Sequence, residues 1–352
     1  MNELILNKTP MRTSRNFGMN EIKVADVEIP SQLETFDAVQ IVNPNPQVTI
    51  TRQTKEETIA YGVGEMMVQQ VQEHSNCRMH INIVGKTQDT IFLGFPCSAK
   101  EKNLVEYIQI EAEENASAHL VLQYSSEDED VFHNGMCTVV AHKNANISIT
   151  FLNLLGQNAN HFYTFQNDLR EGAHLNYTMV DFGGKNRITN YYTKEAENAV
   201  SQLDTIYIGE NKERLDLNYI TELFGKQSKV KMNVQGALKD EAKKNFKGTI
   251  DFKKGASQAV GSENEYCILL SDHVRSKSLP MLLCSEEDVD GEHSAAAGKV
   301  DEKELFYLMS RGFSYQESLK LMVRARFHKV IQKLEDDLKE KVLKQIDQRL
   351  KD

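Results

Sequence analysis

Tryptophan is absent from the 352 residues, proline occurs only six times, and no stretch approaches the roughly 18 consecutive apolar residues of a spanning helix. With no Trp, and with Tyr and Phe scattered, there is no aromatic platform for stacking bases or sugars. The N-terminal MNELILNKTPMRTSRNF has no long apolar core behind basic residues, so a cytoplasmic protein without membrane contact is expected. The five cysteines, Cys77, Cys97, Cys137, Cys267 and Cys284, are an odd count with no C-x-x-C spacing. That argues against a secreted disulfide framework and a zinc ribbon, and leaves reduced thiols as the expectation. A formal net charge of −10, with no dominant Lys/Arg cluster, excludes a phosphate backbone as partner.

What is present is periodic. Pro10, Pro30, Pro44 and Pro46 punctuate an irregular first segment, residues 1–64. From about residue 65 to 298 polar turns recur, each followed by a small residue and then alternating strand-like sequence, at Ala116, Ala145, Ala173, Ala199, Ser228 and Ala256. A period of about 26–29 with two strand runs per repeat is the mark of a coil that cannot bury its own apolar face and must stack on the next. The fold class expected is mainly β: a right-handed parallel β-helix with an irregular N-terminal region and a C-terminal α-helical segment, residues 299–352. Asp301 with Glu304 and Ser314 with Glu317 read as capping boxes of two helices. The second carries Leu319, Met322, Val323, Phe327, Val330 and Leu334 at helical spacing. These helices are expected to pack on or beside the last coil.

Chemistry-bearing residues gather near one boundary. Leu279-Pro280-Met281-Leu282-Leu283-Cys284 reads as a final strand, and Gly291-Glu292-His293-Ser294 to Gly298 as a turn leading into helix. By spacing alone, Cys284 is a small core residue at a strand end and His293 a backbone-bonded turn residue. As a set, thiol, carboxylate and imidazole are metal-ligand types. Cys137 and Cys267, within apolar strand runs, read as core filler. His74, His80, His119, His133, His142, His161 and His174 show no ligand spacing and read as surface or turn residues. Gly183-Gly184-Lys185-Asn186 is no phosphate loop: Asn stands where Ser or Thr would hold magnesium, and Met179 where the first Gly belongs.

Pro280, Cys284, Glu292-His293, Ala295, Gly298, Asp301 and Leu305-Phe306-Tyr307 through Ser310-Arg311-Gly312 resemble the C-terminal signature of the SufB/SufD family of iron–sulfur cluster assembly subunits. The lead-in TPMRTSRNFGMNEIKV is similar to that of SufD-like chains. The resemblance implies a β-helix and a scaffold rather than an enzyme, with ATP hydrolysed by a separate SufC-like ABC ATPase gripping the C-terminal helices at Leu305, Phe306, Tyr307 and Arg311. It implies Cys284, Glu292 and His293 as ligands of a transient iron–sulfur cluster, shared across a dimer formed with a SufB/SufD paralogue or with itself at the C-terminal end of the β-helix. A sulfur donor protein is a further implied partner, and a flavin is left open. In the family SufB carries Cys, Glu and His at these places, whereas SufD keeps the His; this chain joins SufB-type residues to a SufD-like length and Gly298. Two alternatives stand beside this reading: a structural partner without ligands of its own, and a β-helix carbohydrate-active enzyme with paired carboxylates in a groove.

Overall fold

Backbone sterics at one corner set the period of the whole molecule. The computed structural model describes residues 3–12, 15–25, 27–55, 57–127 and 130–351. At Asn115, Asn144, Gly172, Asn198 and Gln227 the backbone is left-handed, with φ between 57° and 67°. Only Gly adopts that region freely, and Asn tolerates it better than most L-residues. The next residue is each time small and buried: Ala116, Ala145, Ala173, Ala199 and Ser228. Its amide closes a tight turn, as in Ala116 N–H to Glu113 O at 3.0 Å and Ala145 N–H to His142 O at 2.9 Å. The left-handed residue's own amide donates to the following coil, Asn115 to Lys143 O at 2.9 Å and Asn144 to Glu171 O at 3.0 Å. Corners therefore stack into a ladder about 4.8 Å per step, which leaves room for nothing larger than Ala or Ser inside the bend.

Between corners run two nine-stranded sheets. The first ends in Lys229–Leu238, Ala259–Leu269 and Val289–Lys299; the second ends in Arg214–Leu223, Lys243–Phe252 and Arg275–Cys284. Coil pairs with coil in parallel register, for example Ile149 with Leu120 and with Tyr177, so each inward residue stacks on its equivalents. The expected mainly β, parallel β-helix architecture holds, with about eight turns and a C-terminal helical segment. Its interior is a continuous apolar column that includes Leu120, Ile149, Phe165, Tyr191, Phe246 and Ile250.

The two ends differ. At the start, Gln40–Val42 and Val48–Thr51, only 3 and 4 residues long, pair antiparallel to Ile91–Pro96 and Cys77–Ile83. At the finish, strands of 10 and 11 residues, Arg275–Cys284 and Val289–Lys299, have no strand beyond them among the described residues.

Three expectations need correction. Residues from Glu65 to His74 form a helix, α1, and parallel pairing starts only at Cys77. The segment Val289–Lys299 is a strand, because the unpaired edge of Ala259–Leu269 offers a template that eleven consecutive residues take up in register. The long C-terminal helices, expected on or beside the last coil, reach back far beyond it. After α2 (Glu302–Ser310), α3 (Tyr315–Ile331) and α4 (Asp336–Arg349) run back over the outer face of the first sheet. There Val323, Phe327, Val330, Leu338, Val342 and Ile346 bury Val121, Leu152, Val180, Phe182, Ile206 and Ile208. Each such side chain removed from water contributes roughly 1.5–3 kcal/mol. Ser314 and Glu317 complete the reciprocal cap of α3, whereas at α2 Asp301 accepts from the amides of Lys303 and Glu304.

The outer face of the second sheet is covered by α1 and the N-terminal segment, through Leu4, Leu6, Met67 and Val71 on Phe132, Met136 and Phe162. Asn7 latches that segment, donating to Thr189 O and to Asp216 at 2.9–3.0 Å, while Lys247 pairs with Asp216 at 2.6 Å and donates to Asn7 O at 2.8 Å. Residues 13 and 14 of the lead-in lie outside the described residues.

Candidate functional site at the open end of the solenoid

Strand alternation decides where each candidate residue faces. Leu282 and Cys284 register with Ile250 and Phe252, both interior residues, so Cys284 is in the inward phase of the last coil. His293 registers with the fully buried Glu263 and is also inward. Glu292, its neighbour, must point the other way, since successive side chains of a strand alternate. It registers with Ser262 and accepts that hydroxyl's hydrogen bond at 2.8 Å. The Cys284 thiol donates to Glu286 O at 2.9 Å. All three residues are exposed.

The structure therefore does not bring Cys284, Glu292 and His293 into one ligand set. Phe252, beneath Cys284, has its ring against Gly291, where an added Cβ would stand 3.0 Å away. Gly291 is two residues from His293, about 7 Å along the strand. Among the described residues no group of three or more His, Cys, Asp or Glu side chains is arranged to hold a metal.

Beneath this mouth the interior turns polar. Lys244 and Glu265, both fully buried, pair at 2.7 Å, and Glu265 also accepts from Ser278 at 2.8 Å and Tyr207 at 3.0 Å. Glu263 is different: it is fully buried, and neither carboxyl oxygen has a hydrogen-bond partner among the described residues. It reaches across the core to Gly248, where a Cβ would collide with its carboxyl at 2.2–2.3 Å. Burial, with the Glu265 charge adding to it, pushes Glu263 up to about 8. Sequence reading missed these groups, although the alternation Gly261, Glu263, Glu265, Cys267 from the inward Ala259 was a usable signal.

A second polar cluster lies deeper. Tyr124 donates to Glu106 and sits 3.0 Å from the Tyr163 hydroxyl, and the ring nitrogens of His133 and His161 are 2.9 Å apart. His133 and His161 are core residues, not the surface or turn residues expected, because they occupy the inward phase of strands Phe132–Ala141 and Asn160–Leu169. Burial pushes Glu106 up to about 8 and His133 down to about 3, so their 3.6 Å approach joins two neutral groups rather than an ion pair at neutral pH. Cys137 and Cys267 are buried as expected, and burial raises both thiols.

Beside the mouth, α2 buries no residue completely. Phe306 and Tyr307 are 73% and 56% exposed, Leu305 is half-buried, and the Arg311 guanidinium lies 5.1 Å from the Tyr307 ring centre. Met309, Phe313 and Tyr315 extend this exposed apolar surface.

Similarity to known proteins agrees with this architecture. Residues 95–326 match the family model described as SUF system FeS cluster assembly, SufBD core domain. The chain is similar to the iron–sulfur cluster assembly protein SufD of Bacillus subtilis, 25% identical over 258 residues that cover 70% of this chain and 58% of that protein. It is also similar to a SufBD family protein of Pyrococcus horikoshii, 28% identical over 221 residues covering 62% of this chain and 49% of that one. SufD of Escherichia coli matches a shorter stretch, 29% identical over 114 residues, 32% of this chain and 27% of that protein. The matches thus span about half the length of the first two relatives. With the core-domain model covering well over half of its residues, the chain belongs to the SufBD family of iron–sulfur cluster assembly proteins.

Proposed function

We propose that this chain is a scaffold subunit, not an enzyme, that joins a second SufB/SufD-type chain through its open end and carries a SufC-like ABC ATPase on α2. The observation that supports the reading most is the contrast between the two ends. Long unpaired strand edges invite pairing with another chain, and proteins normally keep such edges short or covered. Here the starting edges are 3 and 4 residues long, whereas the finishing edges run 10 and 11, with no side chain of Val289–Lys299 buried. A helix with exposed Phe306 and Tyr307 next to that end is the kind of apolar surface that marks a protein contact. The cluster is cargo: Cys284 supplies a thiolate at the shared face, and the partner chain and a sulfur donor protein supply the rest. The family leaves the carbohydrate-cleaving reading without support.

The test is anaerobic cluster reconstitution and sizing with the paralogue and the ATPase. Ala296→Arg on the edge strand should abolish chain pairing, and Arg311→Glu with Phe306→Ala should abolish ATPase co-purification with the solenoid intact. Point variants are required, because deletion beyond Gly298 would strip α3 and α4 from the first sheet. Cys284→Ser should pair normally and lose most of the cluster. The reading as a structural partner without ligands is favoured by the opposed directions of Glu292 and His293, and it predicts parent-like cluster yield for Cys284→Ser. Unchanged pairing in Ala296→Arg counts against the open end as the joint.

A further inference from the structure

The carboxylate that belongs with His293 is not its neighbour in sequence. We infer that Glu263, with His293 one coil above it, forms a divalent-cation position at the mouth of the solenoid interior. The inference deepens the proposed function and rests on it only for the identity of the ion as iron awaiting incorporation.

Four observations carry it. Among the described residues Glu263 is fully buried with no hydrogen-bond partner at either oxygen, and a buried carboxyl group left in that state is costly enough that native structures nearly always supply one. The neighbouring cation is committed elsewhere: Lys244 donates to Glu265, Lys277 O and the Ser278 hydroxyl. Access is short, because Glu263 lies one coil, about 4.8 Å, below an end with no further strand among the described residues. Around Glu263 the inward residues of the covering strand are Gly291, His293 and Ala295, so on that side the imidazole is the donor available, while Pro280 and Leu282 of Arg275–Cys284 face it from the opposite strand. Finally, His293 and Glu263 are register partners in the same phase, whereas Glu292 is committed to Ser262 on the outer face.

Carboxylate with imidazole suits borderline first-row divalent ions better than calcium or magnesium, which take all-oxygen shells. Two protein donors leave most of the coordination shell to water. That is the character of a transfer point from which an ion can be withdrawn, and it accords with the lack of any three-residue metal group among the described residues.

The experiment titrates the anaerobic full-length chain with Co2+ as optical probe, followed by competition with Fe2+. Glu263→Gln should weaken Co2+ binding at least ten-fold with a melting temperature no lower than the parent's, since no hydrogen bond is lost. His293→Ala should weaken binding similarly, and Glu292→Gln should match the parent. The proposal is overturned if Glu263→Gln binds as the parent does, if Glu292→Gln loses the ion, or if the parent binds no Co2+ above the level of His293→Ala. Cluster yield with the partner chain is measured on Cys284→Ser in parallel. A Cys284→Ser variant that builds clusters normally while Glu263→Gln loses Co2+ would sink the scaffold chemistry and leave the cation position standing; the reverse pair of results would sink only the cation position.

Discussion

Replacing Glu106 by Gln should change the pH dependence of stability more than stability itself. Glu106 is enclosed in the column, accepts from Tyr124, and has one oxygen without a partner. Burial raises it from 4.5 to about 8 in the fold. Between those values the unfolded chain releases a proton that the native chain keeps, so the contribution of Glu106 to stability falls as pH rises and becomes constant above about 8. At 1.36 kcal/mol per pKa unit the ceiling of that loss is about 5 kcal/mol. His133 and His161 act oppositely at lower pH: both are depressed, so their protonation destabilises the fold as pH falls below the unfolded value of 6.5. The parent's profile mixes the two effects, but the difference between Glu106→Gln and parent cancels the histidines. Urea unfolding at a series of pH values should show that difference near zero at pH ~5 and rising to several kcal/mol in favour of the variant by pH ~9. A difference that stays flat across the range would mean that the carboxyl is not held neutral in the fold, and the reasoning fails.

Two further outcomes follow from packing. Phe327→Ala removes a fully buried ring beside Phe182 and should cost about 3–5 kcal/mol, with limited proteolysis cutting first between α3 and α4; parent-like urea stability would refute the shared core of helices and sheet. Gly248→Ala drives a methyl into the Glu263 carboxyl and should cost about 1–3 kcal/mol, relieved when combined with Glu263→Ala; additive costs in the double variant would show that the two residues do not touch.

Legibility in the sequence followed how local the cause was. The small residues after each polar turn could be read because a left-handed corner restricts two adjacent positions in successive coils from Asn115 onward, whatever surrounds them. Gly291 to Gly298 could not be read as a strand, since Gly, Ala and Ser have little preference for it and the neighbouring edge supplies the order. The helical spacing of Val323, Phe327 and Val330 announced an apolar face but not which surface it covers, because the receiving residues Leu152, Val180 and Ile206 sit far away in sequence. Cys284, Glu292 and His293 could be picked out as residue types, but their directions depend on strand phase, which a turn assignment hides. Lys244, Glu263 and Glu265 escaped notice because polar residues in alternation are ordinarily taken for the wet side.

The unequal ends of the solenoid also govern what larger objects can form. A stack of coils with two equivalent parallel edges could add head to tail without limit, and an open-ended arrangement of that kind makes fibres. Here the first coil presents, among the described residues, only short antiparallel strands, so a finishing edge meets no matching start on another copy. Two finishing edges can still face each other, related by a two-fold axis that sets their strands antiparallel. Such a union would consume both long edges at once and leave neither for further growth.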